Sequence, residues 1–116
     1  MKITKPKIFV SYTVADGVIT FDILLEIEKL LFGISNTFID LLHNDSINKQ
    51  SRVMFELKKS DLVLLIKTKE IYNSEWVKKE ISFAQEINIP IIEIDFQKLI
   101  NIDQNTLFQT IASAIN

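Results

Sequence analysis

No cysteine occurs in the 116 residues and histidine occurs once. That composition removes disulfides, thiolate catalysis and ordinary zinc sites from consideration. Neither sign of charge dominates: 13 Lys and Arg stand against 15 Asp and Glu, a formal net charge of −2. The chain therefore shows no electrostatic footprint for nucleic acid or an anionic membrane surface. Long apolar runs are also missing. Met1 to Lys7 is basic and leads into a strand without a cleavable apolar region, and no run approaches the length of a bilayer span. A soluble, cytoplasmic protein with no nucleic-acid or membrane partner is expected. Internal repeats and linkers are absent too, so residues 1–116 read as a single domain. The 47% of hydrophobic residues suffices for a substantial core.

What is present is an alternation of strand and helix. Lys7 to Tyr12 reads as a strand opening into a short loop, Thr13 to Gly17. A helix follows, with Ile23, Leu24, Ile27, Leu30 and Leu31 at helical spacing and Gly33 past its end. Thr37 to Leu41 reads as the second strand, His43 to Ser46 as a polar loop, and Lys49 to Lys59 as the second helix. Asp61 to Ile66 is continuously apolar after its first residue, the pattern of a central parallel strand covered on both faces. Ser74 to Ile87 reads as a helix, and Ile89 to Ile94 as a strand with Pro90 at its start, where a missing donor does least harm. A last helix places Leu107, Phe108, Ile111, Ala112 and Ile115 on one side, and Phe96 to Ile102 supplies at most a strand fragment before it. The predicted fold is α/β and flavodoxin-like, with three layers: a central parallel sheet of four or five strands and helices on both faces. In such sheets ligands bind beyond the carboxyl ends of the strands, where strand order reverses. The loops at that end are Tyr12 to Gly17, Leu42 to Asn48, Lys67 to Asn73 and Asp95 to Lys98.

Glu80 is out of place in this pattern. At roughly 100° per residue, Trp76, Val77, Ile81, Phe83, Ala84 and Ile87 fall on one side of their helix. Glu80 lies among them. Its neighbours one turn away are Trp76, Val77, Phe83 and Ala84, which offer no intrahelical ion pair. A carboxylate early in a helix is favoured by the macrodipole and can bend to the rim of the core. One held on an apolar face needs a partner or a purpose.

Lys7-Ile8-Phe9-Val10-Ser11-Tyr12 with Asp16 close behind, Phe38-Ile39-Asp40, Ser60 to Ile66, Asn73-Ser74-Glu75-Trp76-Val77-Lys78-Lys79-Glu80-Ile81 and Ile89-Pro90-Ile91-Ile92 follow one another in order. Together they resemble a TIR (Toll/interleukin-1 receptor) domain, in particular the bacterial, NAD-cleaving branch. The resemblance covers roughly Lys7 to Asp95, and its ordered series is more specific than any one motif. It implies that Glu80, the Glu of Trp-x-x-x-Glu, is the catalytic residue of an NAD+ nucleosidase that also cyclises ADP-ribose in some members, acts in bacterial defence signalling, and treats NAD as substrate with no further cofactor or metal. It also implies self-association or association with another TIR-like or effector protein, because family members often complete the pocket with a neighbouring subunit.

Other positions follow from the same resemblance, each beside a plainer reading. Trp76 would stack on a nicotinamide or adenine ring, or serve as a core-rim aromatic. Tyr12 and Thr13 would line the nucleotide site, or Tyr12 would simply pack. Asp40 would contact a ribose, or cap the following loop. His43 reads as solvated, and the pairs Lys58-Lys59 and Lys78-Lys79 as solvated helix faces. The chain departs from the family pattern in lacking Pro-Gly after Asp40, in Thr13 and Val14 where basic residues are common, in Lys67 where Ser is common, and in a short region after Asp95. A receiver domain is disfavoured because Tyr12-Thr13-Val14 supplies no acidic cluster, and a flavodoxin because Ser11, Thr13 and Gly17 are too sparse for a phosphate loop. Two alternatives stay open: a nucleoside deoxyribosyltransferase-like enzyme, which also uses a Glu on a related sheet, and a non-catalytic TIR scaffold working by self-association.

Overall fold

A computed structural model describes residues 5–115. Four strands, β1 (Lys7–Ser11), β2 (Asn36–Phe38), β3 (Leu62–Lys67) and β4 (Ile91–Asp95), form one all-parallel sheet in the order β2-β1-β3-β4. The helices between and after them are α1 (Phe21–Leu31), α2 (Asp40–His43), α3 (Lys49–Lys58), α4 (Glu75–Glu86), α5 (Phe96–Asn101) and α6 (Gln104–Ile115), with a 3-10 turn at Ile71–Asn73.

Side-chain alternation along the strands builds two cores. Ile8 and Val10 of β1 and Leu62, Leu64 and Ile66 of β3 point to one face, where Leu24, Ile27 and Leu31 of α1, Leu99 of α5 and Leu107 and Ile111 of α6 cover them. Phe9, Phe38 and Val63 point to the other, beneath Val53 and Leu57 of α3 and Ala84 of α4, with Phe9 and Phe38 stacked at 5.7 Å between ring centroids. Leu65, Ile71 and Val77 extend this second face. The three-layer α/β expectation is met, and β3 reads as an unbroken apolar run because both its faces are covered. Among the described residues no helix is long and apolar enough to cross a membrane.

Several expectations are corrected. The second strand stops at Phe38 and does not reach Leu41, because the backbone leaves the ladder to form α2 and the Leu41 N–H is taken by the Tyr12 hydroxyl at 3.0 Å. Phe96 to Ile102 is not a strand fragment: Asp95 accepts from the Gln97 N–H at 3.0 Å and starts α5, which buries Phe96 and Leu99. The sheet thus has four strands among the described residues, and no open loop follows Asp95. In α6, Leu107 and Ile111 face the core, with Ala114 partly buried against it, whereas Phe108 and Ile115 are exposed.

The order of the strands decides where a ligand can sit. The chain leaves β1 for β2 on one side, then crosses to β3 on the other side of β1. That reversal opens the space above the carboxyl ends of β1 and β3.

Candidate active site

Ser11 closes β1 and, two residues on from Phe9, faces the layer that holds α4. The start of α4 is fixed by Ser74, whose hydroxyl accepts from the Val77 N–H at 3.2 Å. With that register, Val77, Glu80 and Ala84 all point inward. Glu80 is therefore forced against the sheet at 4% exposure, and the Ser11 hydroxyl donates to its Oε1 at 2.8 Å.

The environment acts on the carboxyl group in a definite order. Burial raises its pKa to about 7, the Ser11 hydrogen bond pulls against that rise, the Asp40 carboxylate adds to it, and the Trp76 side chain offers a weaker stabilisation of the charged form. A carboxyl group so tuned is half ionised at neutral pH.

A cavity of about 290 Å³ opens over Glu80 and is lined by Val10, Tyr12, Thr13, Val14, Asp40, Leu41, Trp76 and Glu80. The residues singled out from sequence, Glu80, Tyr12, Thr13, Asp40 and Trp76, thus meet at one cavity, drawn from the segments that follow β1, β2 and β3. Each has a second engagement. Tyr12 accepts the Leu41 N–H, which ties the end of β1 to the first turn of α2. Burial, together with the charges of Asp40 and Glu80, pushes the Tyr12 phenol up to about 12 against that backbone bond, so it stays a protonated donor. The Thr13 hydroxyl accepts from the Ala15 N–H at 3.2 Å, shaping the loop. Asp40 accepts from the Asn44 side chain at 2.6 Å, the loop-tethering role of its plainer reading, while still lining the cavity. Trp76 is half-buried against the Phe9 cluster, with the Lys79 ammonium 5.8 Å from its ring centroid.

His43 departs from the expectation of a solvated loop residue. It is the last residue of α2, its Nδ1 accepts the Ile39 N–H at 2.8 Å, and its Nε2 pairs with Glu28. Those two bonds brace the turn that carries Asp40 and Leu41. Ser11, Val10, Val14 and Leu41 were not singled out as site residues. A detectable signal existed for Ser11, a hydroxyl at the buried end of a strand in which Ile8, Phe9 and Val10 precede it.

Size alone does not select this cavity. A larger depression of about 570 Å³ lies between α1 and α5, but its lining is chiefly Ile23, Ile27, Leu30, Leu99 and Ile100, and its charged members, Glu26 and Lys29, pair with each other at 3.6 Å. Two titratable groups with raised pKa values, Tyr12 and Glu80, face the cavity over Glu80. Among the described residues no cluster of His, Asp and Glu has the makings of a metal site. No family model matches the chain, and a search of curated proteins finds no match.

Proposed function

We propose that this chain is a TIR-like NAD+ nucleosidase that cleaves the bond between nicotinamide and ribose, with Glu80 as the catalytic carboxylate. The observation that carries the reading is a buried carboxyl group, tuned to ionise near neutrality, opening onto a cavity at the strand-order reversal. As the glycosidic bond breaks, its electron pair moves to the pyridinium nitrogen, nicotinamide leaves neutral, and positive charge develops on the ribose. Ionised Glu80 opposes that charge in a water-poor setting. Water then adds to the anomeric carbon and its proton passes to Glu80 or to solvent; attack by the adenine ring instead would give a cyclic product. Asp40 accepts from ribose hydroxyls, the Tyr12 phenol donates, and Trp76 offers a flat apolar wall to the base.

The volume supports a further element of the reading. At about 290 Å³ the cavity sits at the lower edge of ligand sites, which run from about 300 Å³. It accommodates one half of a dinucleotide, so the other half would lie on a second copy or on another TIR-like or effector protein. A role in bacterial defence signalling belongs to this proposal by analogy of family alone.

The nucleoside-sized cavity also favours a second reading, transfer or hydrolysis at a deoxynucleoside by a covalent Glu80 intermediate. Mass spectrometry of concentrated protein incubated with NAD and, separately, with deoxynucleosides decides between them. Nicotinamide release that vanishes in Glu80→Gln supports the first reading. Base release from deoxynucleosides alone supports the second. Assembly untouched by Glu80→Gln with neither reaction leaves a non-catalytic scaffold.

A further inference from the structure

The charge of the cavity lining is one-sided. Asp40 and Glu80 contribute carboxyl groups, Tyr12 and Thr13 contribute neutral hydroxyls, and among the described residues no Lys or Arg lines the cavity. The chain as a whole has almost as many cations as anions, so this imbalance is local. The nearby cation beside Trp76, Lys79, lies over the indole ring and outside the lining. Two aromatic rings, Tyr12 and Trp76, complete the walls. Carboxylates with aromatic faces in a partly dry pocket attract a delocalised cation, and the same carboxylates repel a phosphate brought alongside.

From this we infer that the cavity selects the cationic ring and ribose of an N-ribosyl pyridinium by themselves, and that a 5′-phosphate on them weakens binding to this chain. The inference rests on the proposed reading for its choice of pyridinium nucleoside, but binding and cleavage are separable. Asp40 and Glu80 hold the ribose hydroxyls and face the ring charge, and the volume leaves no room for a second nucleotide.

The test uses the single tryptophan of the chain, whose indole N–H gives one cross-peak in proton–nitrogen correlation spectra and sits in the cavity wall. Dissociation constants are read from its saturable shift with three probes: carbocyclic nicotinamide riboside, which cannot be cleaved, its 5′-phosphate, and uridine. The cation is expected to bind about tenfold or more tightly than uridine, and at low salt more tightly than its own phosphate, with the second gap closing as salt is added. Asp40→Asn should weaken the cation more than uridine, which shares the ribose hydroxyls but not the ring charge. Uridine binding as well as the cation, or no saturable shift with the cation, overturns the inference. So does tighter binding of the phosphate, which would place that group on Lys79. Nicotinamide release is measured in parallel on nicotinamide riboside and NAD. Binding in the expected order without any cleavage refutes the catalytic reading and leaves this inference standing; cleavage of NAD without binding of the carbocyclic cation does the reverse.

Discussion

Replacing Glu80 with Gln separates the cost of this carboxylate from its use. Burial raises the group from an ordinary 4.5 to about 7 in the folded chain. The folded state therefore binds the proton more tightly than the unfolded state, and stability must fall as pH rises through that window. The difference of roughly 2.5 units corresponds to about 3 kcal/mol, absent below pH 4.5 where both states are protonated and fully developed above pH 7. Gln keeps the acceptor oxygen for the Ser11 hydroxyl and never ionises. Glu80→Gln should thus match the parent at pH 4 and exceed it by about 3 kcal/mol at pH 8, or roughly 10 °C in Tm for a domain of this length. Nicotinamide release should fall about 10²-fold or more over the same preparations, because the charge opposing the developing cation is gone. Thermal unfolding across pH 4 to 8 and nicotinamide release at pH 7.5 provide the two readouts. A stability difference independent of pH refutes the raised pKa, destabilisation at every pH makes Glu80 a structural anchor, and parental turnover in a folded Gln variant ends the catalytic assignment.

Four other perturbations probe the same molecule. Ser11→Ala removes the hydrogen bond that favours ionised Glu80, so the midpoint of activity against pH should move upward by roughly one unit; an unmoved midpoint would sever Ser11 from the site. Asp40→Asn removes the charge that disfavours ionisation, and the midpoint should move to more acid pH, read by the same profile. On the proposed reading, in which a cavity of about 290 Å³ takes half a dinucleotide, turnover of NAD should rise more steeply than protein concentration, and strict proportionality across the dilution series counts against a shared pocket. Away from the site, burial alone would raise Glu56, but its bonds from Lys7 and Arg52 outweigh that and hold its carboxyl below the ordinary range. Glu56→Gln should cost about 1 to 3 kcal/mol near neutral pH, a loss that fades as acid protonates the parent; a pH-independent loss would point to packing instead.

Much of this arrangement is legible in the sequence. β3 declares itself by an unbroken apolar run, and α4 by a stripe whose one charged member, Glu80, proves to be 4% exposed. Periodicity reports which face is buried, and that information is local. The misread stretches are those where a distant partner decides. Thr37-Phe38-Ile39 has the β-branched and aromatic residues of a strand, yet two residues on Leu41 gives its N–H to Tyr12, 29 residues earlier, and a turn of helix follows. Phe96, Leu99 and Ile100 have helical spacing and an Asp cap before them, but the expectation of a fifth strand obscures both. His43 looks solvated because Glu28, its partner, lies 15 residues earlier in α1, on the far side of β2 in sequence. The Ser11–Glu80 bond spans 69 residues and no pattern of short period could announce it.

β1 is the second strand from one edge, paired with β2 at Lys7, Ile8 and Phe9 and with β3 from Ile8 to Ser11. Its second neighbour is synthesised some fifty residues after it. Until β3 emerges, a nascent chain carries Ile8, Phe9 and Val10 beside an open row of amide and carbonyl groups, the template on which edge-to-edge association begins. The lining of the cavity is complete only once α4, with Trp76 and Glu80, has been made, and a fragment ending before Leu62 would retain Ser11 and Tyr12 while exposing the strand that leads to them. Such a fragment should be stickier than the chain with β3 in place, a liability that comes from placing the first strand inside the sheet.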